Sequence, residues 1–347
     1  MTHISSPEAE QVTPEQVRID ADAAAGSARR RANRGTLIRR IVGKLVGAAI
    51  TLFGAATVAF LAQLALPGDR ATVIYNIRAG QAIERTPEEL AQINEQYGLL
   101  QPVLVQYVDY LRALVSGTLG MSYQQYRPVS DVIIEQLGPT LILTFTAILL
   151  AWVIMVVWVT LTAGHRPKLR ALGAVVDTTA AGLPHYWLGI ILLVVFSLGL
   201  GWFPVISGSS PAGLFLPALT LAIPLAGFMG QATRSEFEHT LDQPFIVSAR
   251  MRGMGDIGVR VQHVLRHSVL PAITLSGWAL GATISGAVVV ESLYSRQGIG
   301  TVLITAVNAQ DLPIVTGVVV LIAALYVVAN LIVDVIYTLI DPRLKAS

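Results

Sequence analysis

The chain has 347 residues, 53% hydrophobic and 13% charged, with a mean hydropathy of +0.62. That composition excludes a soluble domain, which cannot bury so much apolar surface, and predicts a polytopic membrane protein. Cysteine is absent, which excludes disulfides, thiol nucleophiles and cysteine metal sites, and the six histidines show no HExxH or other close metal-ligand spacing. The formal net charge of +2 says less than its distribution; no metal, cofactor or nucleic-acid partner is expected.

Residues 1–36 are polar and end in the basic run Arg29, Arg30, Arg31 and Arg34; a disordered cytoplasmic tail is expected there. Residues 37–66 hold an entry helix and the first span, Leu45–Leu66, long enough to cross ~30 Å of hydrocarbon. Residues 67–139 are too long for a plain connector and predict a helical external platform. Thr86-Pro87-Glu88-Glu89 combines a cap, a first-turn proline and a capping-box glutamate, and Pro102–Ser116 is amphipathic, with Tyr107, Tyr110 and Leu111 among its apolar positions. Residues 140–347 form the core. Its predicted spans are Thr140–Thr162, Leu172–Leu200 kinked at Pro184, Leu214–Met229 containing Pro217 and Pro224, Val269–Val290 and Ile314–Ile340. Six spans place both termini on one side. An N-in arrangement puts 18 of the 24 Lys and Arg residues on that side, which predicts cytoplasmic termini.

The same arrangement puts the stretch 234–271 in the cytoplasm. Arg234, Arg250, Arg252, Arg260 and Arg266 make it basic, and Gly253 and Gly255 divide it into two short helical pieces. Asp256 is positioned to cap the second piece, where Ile257, Val261, Val264 and Leu265 share a face and Arg260, Gln262, His263 and Arg266 lie elsewhere. A structured cationic loop at a membrane surface suits force transfer from a partner protein.

The spans carry little charge: Asp177, Glu291 and Asp334, with Asn330 one turn before the last. These positions lie off-centre and suit helix–helix contacts better than a proton relay. Walker A, GxSxG and glycine-rich phosphate loops are missing, so the energy source must lie in another chain. Gly277, Gly281, Ala282, Ser285, Gly286 and Ala287 permit close approach of the fifth span to a neighbour. Tyr186, Trp187 and Trp202 suit packing and interfacial anchoring better than solute contact; the translocation path stays unassigned.

Several separated motifs then carry a family resemblance over about Arg39 to Lys345: Leu66-Pro67-Gly68-Asp69; Tyr97-Gly98-Leu99-Leu100-Gln101-Pro102; Gly117-Thr118-Leu119-Gly120-Met121-Ser122; Ser248-Ala249-Arg250-Met251-Arg252-Gly253; His263-Val264-Leu265-Arg266 with Leu270-Pro271; Gly286–Glu291; and Asp341-Pro342-Arg343. In this order they resemble the B-type membrane permease subunits of dipeptide, oligopeptide and nickel ATP-binding-cassette importers. The family's usual aspartates are replaced at Leu100 and Thr118, and the glutamate of its cytoplasmic EAA loop falls at Val247.

The resemblance implies an all-α polytopic fold with the six transmembrane helices of type I importers. It implies that Phe245, Ser248, Ala249, Arg250, Arg252, Gly253 and Arg266 form the ATPase-coupling loop, with Ala249 allowing close approach to a partner. It also implies a second, C-type permease subunit, two ATPase subunits carrying ATP and Mg, and an extracytoplasmic solute-binding protein, at the bacterial inner membrane. The expected cargo is a peptide or peptide-like solute, and no catalytic residue is expected in this chain. A stand-alone secondary transporter or channel would call for midplane charge or inverted repeats, and an intramembrane enzyme for a buried catalytic set. The sequence offers neither.

Overall fold

The computed structural model describes residue 39 and residues 42–65, 68–81, 83–208 and 210–340, the side chains of 334–340 aside. The expected tail, the Leu66-Pro67 pair, the Asp334 side chain and the Asp341-Pro342-Arg343 motif lie outside the described residues. Two units meet at Thr51/Leu52, inside α1 (Val42–Ala65), and the account below concerns the second.

After α1 come three short helices, α2 (Arg70–Ala79), α3 (Pro87–Tyr97) and α4 (Val103–Val115). α3 starts as its sequence predicts: Thr86 and Glu89 form a reciprocal capping box and Pro87 opens the helix. α4 packs back on α1, with the Tyr107 hydroxyl 2.6 Å from Thr57 Oγ1 and the Phe60 ring 5.1 Å from that of Tyr107.

The second span, α5 (Val129–Thr162), begins well before Thr140 and runs through Pro139. The third span is more than kinked. α6 (Pro167–Ala181) and α7 (His185–Leu192, extended by a π-helical turn Leu193–Gly199) meet at 105°. Pro184 caps α7 and has no N–H to continue the α6 ladder, so the chain breaks there. α8 (Pro211–Leu241) is the central helix, packed against α5, α6, α7 and the later helix α12 (Leu270–Leu293); 67% of its most apolar 18 residues are buried, against 33% in α5. It continues past Met229, so Arg234 belongs to this helix and not to the following loop. Neither Pro217 nor Pro224 interrupts it.

α12 (Leu270–Leu293) and α14 (Leu312–Ile340) pack through small residues, as expected. A Cβ on Gly277 would lie 2.2 Å from the Val333 side chain, and one on Gly281 would lie 2.3 Å from the Tyr326 ring. Between them, α13 (Ile299–Asn308) is a short apolar helix whose first turn is held by Glu291. That fully buried carboxylate accepts from Gly300 N (2.8 Å) and Thr140 Oγ1 (2.7 Å), and the same threonine oxygen accepts from Ile299 N. Glu291 therefore ties α12, α5 and the start of α13 together as a helix-end acceptor.

The platform is pinned to the spans by Asp311, just before α14. Its buried carboxylate accepts from Ser122 Oγ (2.5 Å), Tyr123 N (3.1 Å) and Gln124 N (3.2 Å). Asp311→Ala leaves all three donors without their acceptor, a local loss of about 3 kcal/mol or more. Faster hydrogen exchange at the Tyr123 and Gln124 amides is the expected readout; protection equal to the parent protein would remove Asp311 from this role.

Candidate functional site: the loop after α8

The polar loop begins at Asp242, where α8 ends, rather than at Arg234. It contains α9 (Pro244–Met251), α10 (Asp256–Val259), a π-helical stretch (Arg260–Val264) and α11 (Leu265–Ser268). Gly253 makes the break between the two pieces at φ +84°, a left-handed conformation that glycine adopts without Cβ strain. Open space surrounds its Cα, so a side chain here would meet backbone strain and no clash.

One face of this loop is part of the permease core. Ile246, Ala249, Val259 and Val264 are fully buried in the cluster that contains Met155 and Val159 of α5, Met229 and Phe237 of α8, and Ala272 and Ala279 of α12. Each buried Ile or Val contributes about 1.5–3 kcal/mol. Ala249 is thus turned inward and is not a contact surface for another protein, contrary to the expectation drawn from its small size.

The second piece also differs from the amphipathic reading. Ile257 is 71% exposed and Val261 48%, whereas Arg260 is buried with Val259 and Val264. The Arg260 guanidinium closes the end of α5: Nη1 donates to Ala163 O (2.6 Å) and Thr160 O (3.2 Å), and Nε donates to Asp256 Oδ2 (2.6 Å). Those carbonyls belong to the last turn of a helix, where intrahelical donors run out. Asp256 follows Gly255, the N-cap, and binds Arg250 (3.2 Å) and Arg260 instead of capping the helix. Burial pushes the Asp256 carboxyl up, but the hydrogen bonds and charges of Arg260 and Arg250 outweigh it and hold the group below the usual carboxylate range.

What remains outside is apolar and basic. Along α9, Pro244, Val247, Ser248 and Met251 lie on the side opposite Ile246 and Ala249, with Met251 85% exposed. Phe245 is exposed and its ring lies 5.2 Å from that of His267. Arg250, Arg252 and Arg266 are exposed around this surface. Of the seven residues singled out from the sequence, six are thus on the outer surface and Ala249 is not. Val247 and Met251 were read from the sequence as motif positions but not as members of the coupling set. The signal was there: apolar residues four apart fall on one side of a short helix.

Above the loop, α6 is fastened to α8. Arg234 Nε donates to Asp177 Oδ2 at 2.7 Å, both side chains buried, and Arg170 pairs with Glu238 at 2.7 Å. Glycines make this contact possible: a Cβ on Gly227 would lie 2.6 Å from Asp177 O, and one on Gly230 2.9 Å from Asp177 Oδ1. The loop and the platform occupy opposite ends of α5, whose 34 residues span about 50 Å.

Membrane-length helices arranged around α8, with a structured basic loop built into the core at one end, define a polytopic helical membrane protein. The sequence matches the binding-protein-dependent transport system inner membrane component over residues 156–346 and the N-terminal region of such membrane components over 37–144, and the chain belongs to that family. It is a multi-pass inner-membrane permease subunit of an ATP-binding-cassette importer. The family implies a partner permease, ATPase subunits and a solute-binding protein. The glutathione transport system permease protein GsiC of Salmonella typhimurium is 32% identical over 310 residues, covering 89% of this chain and 99% of that protein. GsiC of Escherichia coli K12 is 31% identical over the same shares.

Proposed function

We propose that this subunit is one half of a heterodimeric, B-type plus C-type, importer for peptide-like solutes and that α9 is the surface its ATPase partners move. The termini and the loop lie in the cytoplasm, and the platform faces the binding protein that delivers the solute. ATP and Mg belong to two ATPase subunits; this chain supplies neither catalytic residue nor cofactor. The peptide-like cargo rests on the resemblance to the glutathione permeases.

The carrying observation is the two-faced loop. Its inner face is continuous with the packing of α5, α8 and α12, while its outer face presents Val247, Met251, Phe245 and three arginines. A push on the outer face reaches the spans through packed side chains, which transmit displacement. The arginines suit acidic groups on the partner.

Reversing the charge at Arg250 and Arg252 with glutamate tests this reading. ATPase recovered with the affinity-purified subunit is expected to fall by about tenfold, the effect of ~1.4 kcal/mol of lost binding. Recovery equal to the parent protein would assign those arginines to lipid phosphates instead.

A further inference from the structure

A cavity lies on the platform side, far from the loop. It measures about 490 Å³ and opens between α3 and α4, the end of α1 and the start of α14. That size is in the range of small-molecule sites. Phe60, Tyr97, Tyr110 and Tyr123 supply aromatic walls, and Gln63, Gln101 and Gln106 supply amides.

Its charges are arranged unusually. Arg70 lines the cavity and forms no ion pair with any described residue. Neutral groups hold its guanidinium instead: Nη1 donates to Gln106 Oε1 (3.1 Å), Nη2 to Gln63 Oε1 at the long distance of 3.4 Å, and the Tyr123 phenol interacts with it as well. Nε is buried and has no hydrogen-bond partner. The Nε–Nη2 edge, one of the two edges by which arginine binds a carboxylate in fork geometry, is therefore the least satisfied part of the group. A second orphan points the same way: the Tyr110 hydroxyl also lines the cavity, buried and unpartnered. Burial pushes the Tyr110 and Tyr123 phenols up to about 12, for Tyr123 against the opposing pull of Arg70.

Two carboxylates also line the space. Asp109 is engaged by Arg112 at 3.2 Å, whereas Glu95 has no cationic partner among the described residues. A cation and an anion thus face one cavity without pairing with each other. A simple anion would meet Glu95 as a repulsive neighbour, whereas a solute carrying both charges satisfies each end.

We propose that this cavity binds a small zwitterionic peptide-like solute, its carboxylate on the free edge of Arg70 and its ammonium toward Glu95. The aromatic rings and amides flank the backbone between. The site gives the permease a solute contact of its own on the platform, separate from that of the binding protein. The peptide-like character rests on the importer reading; the pairing of charges rests on the cavity.

The test uses the full-length subunit with its co-purifying subunits in lipid nanodiscs, without the solute-binding protein. Saturation-transfer NMR follows dialanine, dialanine amide, N-acetyl-dialanine, acetate and inorganic phosphate. Dialanine is expected to bind, with affinity at least about tenfold weaker for the amide, as for a lost charge-assisted hydrogen bond. Arg70→Gln removes the dialanine signal, and Arg70→Lys weakens it. Glu95→Gln, a change on an exposed side chain, makes dialanine and N-acetyl-dialanine bind alike.

Absence of dialanine binding, or binding unchanged in Arg70→Gln, overturns the proposal. So does acetate or phosphate binding as well as dialanine, which would make this a plain anion site. Loss of dialanine binding when anionic phosphatidylglycerol replaces neutral phosphatidylcholine would mark a lipid-headgroup site and overturn it as well. Failure to recover ATPases would sink the importer reading and leave these binding results standing; recovery of ATPases without dialanine binding would sink only the cavity assignment.

Discussion

Asp177→Ala destabilises the permease core by about 3–5 kcal/mol, because it leaves the Arg234 guanidinium buried without a counter-charge. Asp177 and Arg234 are 2% and 6% exposed, so water cannot replace the lost partner. Only Nε of Arg234 is engaged; Nη1, beside Gly173, and Nη2 are buried without partners. The pair is therefore incompletely satisfied, and its net contribution is smaller than the loss on breaking it. Replacing both residues, Asp177→Leu with Arg234→Met, is expected to recover most of the stability lost in the single variant. Thermal unfolding in detergent, followed by size-exclusion chromatography, reads both effects. A single variant as stable as the parent protein would show that the pair is not holding α6 on α8.

Arg260→Met separates the loop from the end of α5. It keeps an unbranched apolar stem, shorter than the arginine, and removes the donors to Thr160 O, Ala163 O and Asp256. Hydrogen bonds from a charged donor contribute about 1.5–3 kcal/mol each, so two lost carbonyl bonds weaken the anchorage by about 3–6 kcal/mol. The expected phenotype is uncoupling: the reconstituted assembly hydrolyses ATP while solute uptake falls by an order of magnitude or more, since a loop loosened by that much no longer carries displacement into α5. Uptake per ATP equal to the parent protein would place the coupling elsewhere. Acid acts at the same corner. The folded-state carboxyl of Asp256 titrates below its unfolded value, so its contribution is fully present above about pH 4, the unfolded pKa. It is lost as pH falls further, through the folded value.

Hydropathy made the spans legible, because a helix in hydrocarbon must be apolar along its length whatever it packs against. The positions at which helices break or continue were harder to see. Pro184 was visible as a distortion, but the size of the break, 105° in the short link between α6 and α7, was not. Arg234 looked like the start of a loop because charge usually ends a span; it stays in α8 because Asp177, 57 positions earlier, meets it inside. Arg260 was misread for a related reason. A charged residue on a short helix is expected outside, yet three acceptors from α5 and α10 converge on it. For both arginines a long-range partner decided the outcome, and periodicity carries no information about such partners.

The loop itself was legible as a motif, and its surface only in part. Phe245, Arg250, Arg252 and Arg266 are exposed, while Ala249 points inward with Ile246. A small residue permits close approach on either side of a helix, so its size did not indicate the direction. Asp311 and Arg70 gave no sequence signal at all, since their partners lie on other elements of the fold.

The central claim, that this subunit is driven through the loop after α8 by separate ATPase chains, is tested most directly by affinity purification from the native membrane with identification of every chain recovered. The account predicts a second permease, ATPase subunits and a solute-binding protein, with the ATPases depleted when Arg250 and Arg252 are replaced by glutamate. An isolated subunit that transports solute on its own after reconstitution would contradict it.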